Sequence, residues 1–150
     1  MKRSIVYGGI AGLLSAAHGM ANVPANPADT CRELRVVVTA LKSDRGTVRF
    51  NLYGSESDYR EQGGAFLSDN IAIRNKTSVW VVRDLPRGDY ALIIYHDENN
   101  NRRFDTNFMG LPVESFGFSN NVRPKLSLPA FAEVKFSVKE TATRLTIQAQ

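Results

Sequence analysis

Short runs in this chain alternate between apolar and polar residues, and that period of two commits it to half-buried β-strands. Leu34, Val36 and Val38 share one side of a run, with Arg35 and Thr39 on the other. Val48, Phe50 and Leu52 oppose Thr47, Arg49 and Asn51, and Ile71 and Ile73 alternate with Ala72 and Arg74. Later, Val134, Phe136 and Val138 alternate with Lys135, Ser137 and Lys139, and Leu145, Ile147 and Ala149 with Thr146 and Gln148. Successive side chains of a strand point to opposite faces, so each run packs one face and wets the other, the habit of antiparallel sheets. Two segments, Val79 to Val82 with the lone Trp80 and Tyr90 to Tyr95, are apolar on both faces and are expected to be central strands. Between them lies Asp84-Leu85-Pro86-Arg87-Gly88-Asp89, where Pro86 fixes its own φ and Gly88 is expected to take the positive φ of a tight turn. Ser55 to Gly64 is the one segment expected to carry a helical turn. Seven candidate strands without a sustained helical period give an all-β expectation: an antiparallel β-sandwich of about seven strands.

The N-terminus follows a different rule. Lys2 and Arg3 precede an uncharged run from Ile5 to Ala17, and small residues follow at Gly19, Ala21 and Ala25. This is the layout of a secretory signal peptide, cleaved after Ala21 or after Ala25. The run is too short for the ~20 residues of a membrane-spanning helix. Residues 1–25 are therefore read as signal peptide and start of a leader, 26–31 as a flexible segment, and 32–150 as the sandwich domain. An exported protein, periplasmic or secreted, is expected, with no membrane span after cleavage. Without Lys2 and Arg3, 17 basic side chains face 15 acidic ones. That balance, with the basic residues scattered, leaves no nucleic-acid footprint. Cys31 is the sole cysteine, so no internal disulfide forms. No lipobox precedes it, and it reads as a thiol at the frayed start of the first strand.

Between Tyr95 and Ala132 the alternation fades, and a loop that long in a compact domain usually has a purpose. It opens with His96-Asp97-Glu98-Asn99-Asn100-Asn101-Arg102-Arg103-Phe104-Asp105. Asp97, Asn99, Asn101 and Asp105 stand at relative positions 1, 3, 5 and 9 of a calcium-type loop. The Arg103 carbonyl would serve as position 7 and Phe104 would point inward at position 8. Calcium is the one candidate cofactor. Arg102 replaces the glycine of position 6 and Phe108 the glutamate of position 12, so Glu98 or Glu114 would have to substitute, and affinity in the ~0.1–1 mM range is expected. The other reading is an Asx-rich turn in which these side chains bond their own backbone. One His and one Cys after signal removal leave zinc little support.

Downstream, Glu114, Phe116, Phe118, Asn120 and Asn121 form a candidate ligand surface for a glycan or another cell-envelope component. Alternatively Phe108, Phe116 and Phe118 plug the end of the sandwich while Gly117 and the Asn pair make turns.

At this point a resemblance becomes visible. Asp84-Leu85-Pro86-x-Gly88-Asp89-Tyr90-Ala91, His96-Asp97-Glu98-Asn99-x-Asn101-x-x-x-Asp105-Thr106-Asn107, Gly110-x-Pro112-x-Glu114 and Gly117-Phe118-Ser119-Asn120-Asn121 together resemble an exported bacterial family of unknown function. The resemblance spans roughly the mature chain and implies a prealbumin-like or immunoglobulin-like sandwich. Typical members carry glycine where this chain has Arg102. The Leu85-Pro86-x-Gly88-x-Tyr90 turn is also similar to that of carboxypeptidase regulatory-like and transthyretin-like modules. The family supplies no activity.

A catalytic reading has few residues to work with. A serine triad would need His96 and lacks a Gly-x-Ser-x-Gly elbow. A Cys31–His96 pair would place its nucleophile at the start of the fold. A glycosidase-like carboxylate pair could come from Asp97, Asp105 and Glu114. The expectation is a noncatalytic binding or structural module. The alternative is a cell-envelope hydrolase or carbohydrate-binding accessory protein using the 96–121 loop.

Overall fold

The computed structural model of the protein describes residues 30–124, 127–139 and 141–150. The proposed signal peptide and leader, residues 1–29, lie outside the described residues, as does the side chain of Cys31. Among the described residues no helix is long and apolar enough to cross a membrane.

Among the described residues, eight strands, two short α-helices and a single 3-10 turn (Ser119–Asn121) occur, the strands and α-helices in the order β1 (Thr30–Thr39), β2 (Thr47–Tyr53), α1 (Glu56–Glu61), β3 (Leu67–Ala72), β4 (Ser78–Pro86), β5 (Gly88–Asp97), β6 (Phe116–Phe118), α2 (Phe131–Val134), β7 (Phe136–Val138) and β8 (Ala142–Gln148). A three-stranded sheet has the order β4-β1-β8, and a larger sheet has the order β3-β2-β5-β6. The strand β7 pairs with the start of β5 at Gly88–Tyr90, while β6 pairs further along at Ile93–Tyr95. The protein is an all-β sandwich of eight strands, where alternation predicted about seven. The extra strand is β6, whose three residues are too few to display a period.

Three other expectations are corrected. Pairing is not purely antiparallel, because β1 and β8 run parallel from Glu33↔Ala142 to Thr39↔Gln148. The segment Val79–Val82 belongs to an edge strand: β4 has only β1 beside it, and Val81 is left exposed. Gly88 does not carry the positive φ of the β4–β5 corner. Asp84 does, at 55°, and the Tyr90 hydroxyl braces the corner by donating to the Pro86 carbonyl at 2.8 Å.

The alternating residues meet between the sheets. Leu34, Val36 and Val38 of β1, Phe50 and Leu52 of β2, Leu92 and Ile94 of β5 and Ile147 of β8 are all fully buried in one cluster. Each such side chain contributes roughly 1.5–3 kcal/mol by leaving water. The strand β5 is apolar on its other face too, and a second cluster forms there from Ala91, Ile93, Tyr53, Tyr59, Phe118 and Val134. The short helices cover it. Ser55 caps α1 by accepting from Asp58 N at 3.2 Å, Glu56 and Asp58 sit favourably in its first turn, and Gln62 ends it in the left-handed region. Tyr59 on α1 meets Tyr53 edge-on at 5.7 Å and Phe131 of α2 at 5.8 Å, and its hydroxyl donates to the Pro129 carbonyl at 3.0 Å. The helical turn expected within Ser55–Gly64 is thus the lid of a second, smaller core.

Gly117 of β6 lies directly against β8 of the other sheet. A Cβ there would lie 2.7 Å from Ile147 Cγ2 and 3.3 Å from the Gln148 carbonyl oxygen. Gly117→Ala should destabilise the fold by about 1–3 kcal/mol through overpacking. Urea unfolding checks this, and an unchanged midpoint would mean that β6 yields to the methyl at no cost.

Candidate functional site

The strand β5 ends on Asp97, and the polar loop begins by folding back onto that side chain. Asp97 is 1% exposed. Its Oδ1 accepts from Asn101 N at 3.0 Å and its Oδ2 from Arg102 N at 2.8 Å. Asn99 Oδ1 accepts from Asn101 N at 2.9 Å, and Asn101 Oδ1 from Arg103 N at 2.7 Å. These are Asx turns, in which a short polar side chain supplies the acceptor that irregular backbone lacks. The Asp105 carboxylate receives the Asn99 amide at 2.7 Å and the Asn101 amide at 2.9 Å and 3.0 Å. Asp97, Asn99, Asn101 and Asp105 are therefore brought together as the spacing required.

Glu114 closes the loop from outside it. Its Oε1 accepts from Glu98 N at 3.3 Å and its Oε2 from Asp105 N at 3.1 Å, so one carboxylate holds both ends. Burial pushes the Glu114 carboxyl above its ordinary value of 4.5. The two backbone N–H groups pull it back, and the charges of Asp105 and Asp97 push it further up. Gly46 supplies the floor: its φ is +71°, and a Cβ there would fall on the Asp97 carbonyl oxygen. Arg102, which stands where glycine was expected, takes the left-handed backbone with φ 62°. The Arg102 N–H bond to Asp97 and a bond from the Tyr95 hydroxyl to the Arg102 carbonyl at 3.2 Å offset a strain of about 1–2 kcal/mol.

Carboxylates, imidazoles and thiols by themselves assemble no metal-holding group of three among the described residues. Oxygens for a hard cation would have to include the amides of Asn99 and Asn101. Turning over those amides, whose O and N positions are assigned from the bonds they make, presents oxygen where they now donate to Asp105. The donor set is all oxygen and carries carboxylates at Asp97 and Asp105, which fits calcium chemistry. The Arg103 carbonyl is in the same turn. Phe104 departs from its expected inward position. It is 40% exposed and lies over Tyr95 at 5.6 Å and Phe116 at 5.7 Å.

His96 is fully buried. Its Nε2 lies 2.7 Å from the Arg45 carbonyl, which makes that nitrogen the donor, and its Nδ1 is 3.8 Å from Glu98 Oε1 without a hydrogen bond. The ring serves to tie the β1–β2 loop to the end of β5.

Beside this loop, on the outer face of the larger sheet, is a cavity of about 410 Å³. Ile93 and Tyr95 of β5 and Phe116 and Phe118 of β6 line it, with Phe104 and Leu111 from the loop and the amides of Asn51 and Gln62. The aromatic rings form a chain, Tyr95–Phe104–Phe116–Phe118, with neighbouring centroids 5.6–6.0 Å apart. Of the candidate ligand surface, Phe116 and Phe118 face this cavity. Glu114 is spent on the loop. Asn120 donates to the Glu133 and Lys135 carbonyls, and Asn121 pairs with the backbone of Thr146 and Gln148, so both amides hold α2 and β8. Phe108 is 97% exposed and plugs nothing. Ile93, Tyr95 and Asn51 were missed as site residues. The signal for Ile93 and Tyr95 was the doubly apolar Tyr90–Tyr95 run, whose outward residues needed a cover, and nothing local signalled Asn51 on the neighbouring strand.

The model of a protein family described as an uncharacterized protein conserved in bacteria (DUF2141) matches residues 36–146. No curated protein and no solved structure matches the chain.

Two expectations follow from the loop. Arg102→Gly relieves the left-handed residue and should raise stability by about 1 kcal/mol, once the extra freedom glycine gives the unfolded chain is set against the relief. A lowered melting temperature would mean that the arginine side chain contributes more than its backbone costs. Glu114 keeps its proton in the folded state at pH values where the unfolded chain has released it. Its contribution to stability is thus full below the ordinary glutamate range and declines as pH rises through its raised folded value. Denaturant unfolding across pH 4 to 8 should show this decline in the parent and not in Glu114→Gln, and parallel profiles would contradict it.

Proposed function

Because the chain belongs to DUF2141, a bacterial family of uncharacterized proteins, we propose its function from its own residues: a noncatalytic binding module of the cell envelope that holds a small, largely apolar ligand. The observation that carries this reading is the cavity of about 410 Å³ on the outer face of the larger sheet. Its size falls within the roughly 300–1,000 Å³ of small-molecule sites, and apolar walls with a few amides at the edge are the usual lining of such sites. A sugar would need more polar partners than Asn51, Gln62 and Ser127 offer. The noncatalytic part rests on the candidate catalytic groups being occupied. His96 is buried against Arg45, both Glu114 oxygens accept backbone N–H groups, and the Asp105 oxygens are held by two amides. Export to the periplasm or beyond rests on Lys2, Arg3 and the apolar run Ile5 to Ala17.

The polar loop has a supporting role in this proposal. It delivers Phe104 to the cavity wall, and Asp97, Asn99, Asn101, the Arg103 carbonyl and Asp105 hold calcium weakly. Three carboxylates, Asp97, Asp105 and Glu114, bear on one another here, and a bound cation would relieve their repulsion. Its function would be to stiffen the wall and not to react.

Titration of residues 26–150 with an apolar naphthylamine dye should give saturable fluorescence enhancement. Leu111→Arg, at the exposed edge of the cavity, should weaken it at least tenfold while leaving the melting temperature in place. Unsaturable or absent enhancement with folded protein would sink the ligand reading. For the metal, thermal unfolding in a few millimolar calcium should exceed that in chelator by about 1 kcal/mol for a site of ~0.1–1 mM affinity. Asp97→Ala should abolish the difference. Superimposed melts of the parent would leave the loop as an Asx turn alone.

A further inference from the structure

Beyond the loop lies a small β-hairpin whose base (Gly110, Leu111 and Pro112) borders the cavity and whose tip, Phe108 and Met109, serves neither the cavity nor the proposed cation. Thr106 and Pro112 bridge its arms, Asn107 N donates to the Leu111 carbonyl at 2.8 Å, and Val113 N donates to the Asp105 carbonyl at 3.1 Å. Asn107 builds the turn. Its carbonyl accepts from Gly110 N at 2.9 Å, and its side-chain oxygen accepts from Met109 N at 2.9 Å and Leu111 N at 3.0 Å. Gly110, with φ 77°, supplies the reversal. The hairpin is well tied, yet its apolar side chains are largely exposed. Phe108 is 97% exposed, Met109 64%, Leu111 54% and Val113 52%.

Such apolar exposure on an ordered element marks an interaction site, and we propose that this hairpin is a finger that inserts into the interface of an anionic lipid bilayer. Three observations favour lipid. From Thr106 to Val113 the segment carries no charged side chain. The N–H groups of Asn107, Met109, Gly110, Leu111 and Val113 are all bonded within the hairpin, and Pro112 has none. Lipid favours this economy, because it offers no hydrogen bonds to backbone, and the Phe108 N–H at the very tip reaches only the headgroup layer. At the base of the finger stand three exposed cations, Arg102, Arg103 and Lys42, with Lys42 Nζ reaching the Val113 carbonyl at 3.4 Å. Of the acids nearby, Glu114 and Asp97 are buried, Asp105 is held by two amides, and the Glu98 side chain is one-third exposed, so the three cations face one acid that is neither buried nor held. Cations behind an apolar tip are placed for headgroup phosphates. A stable protein partner would need roughly 800 Å² from this side, and a tip of two prominent residues offers far less. A bilayer needs no matching shape. This proposal does not rest on the cavity being filled, since Phe108 and Met109 do not line it.

The test uses residues 26–150, which hold every described element of the fold and exclude the apolar run at the N-terminus. The protein should sediment with vesicles of phosphatidylethanolamine and phosphatidylglycerol in equal parts, and more weakly with phosphatidylcholine alone. Phe108→Ser should lower the partition coefficient roughly ten- to a hundredfold without moving the melting temperature or dye binding. Phe108→Trp should shift its emission to the blue when anionic vesicles are added. Arg102→Gln with Arg103→Gln should lower partition on anionic vesicles by about tenfold or more. The proposal is overturned if the parent stays in the supernatant with both lipids, or if Phe108→Ser sediments as well as the parent. It is equally overturned if the free protein self-associates through Phe108, which would make the tip a protein contact.

Discussion

A strand that is apolar on both faces has to be covered twice, and β5 imposes that demand on the whole protein. Leu92 and Ile94 are buried against the three-stranded sheet. Ala91 and Ile93 point the other way and would leave a sheet face wet if nothing lay over it. A typical sandwich leaves its outer faces polar. This one spends α1, α2 and the segment after β5 on covering the extra face. The cover is assembled from short pieces, joined by single anchors such as the Tyr59 hydroxyl on Pro129 and the Asn120 amide on two carbonyls. Pieces of that kind do not tile a surface fully, and the cavity is the place where they leave the β5–β6 face open.

The polar loop solves a related problem at the end of the same strand. Backbone that leaves a buried strand carries N–H groups that must be bonded. Here side chains provide the acceptors: Asp97 for two N–H groups, Asn99 and Asn101 for one each, and Glu114 for two more. Negative charge collects as a result. The same residues that make the turn self-sufficient also create the oxygen-rich centre that a hard cation could use, so the two readings of Asp97 to Asp105 share one geometry.

Much of the sandwich was legible in the sequence because burial of one face writes itself as alternation in β1, β2 and β8. What alternation could not supply was direction or neighbour. Nothing in Leu145, Ile147 and Ala149 says that β8 runs parallel to β1, and nothing in Val79 to Val82 says that β4 lies at an edge. The strand β6 escaped because Phe116-Gly117-Phe118 is shorter than the pattern that reveals strands. For the site, the spacing of Asp97, Asn99, Asn101 and Asp105 pointed to the right turn, since bonds within an Asx loop are local in sequence. Glu114 could be named from sequence as a stand-in ligand, but its hold on both ends of the loop, like the role of Gly46, entered only through the fold, because the partners lie far along the chain. The exposure of Phe108 was hidden for a different reason: an aromatic residue between Asn and Met reads as core, and only the hairpin shows that it faces outward.

The parallel pairing of β1 with β8 has a consequence for the life of the chain. Of the described strands, the central strand of the smaller sheet is made first, and one of its two partners, Ala142–Gln148, is made last. Pairings between such distant segments form late, because the whole intervening chain must be ordered to bring them together. Until β8 emerges, β1 has a vacant edge and Leu34, Val36 and Val38 lack the Ile147 that packs with them. A nascent chain of this design remains incompletely folded until β8 has been made. That is the condition in which a polypeptide can be threaded through a narrow pore, and also the one in which a chaperone is most needed.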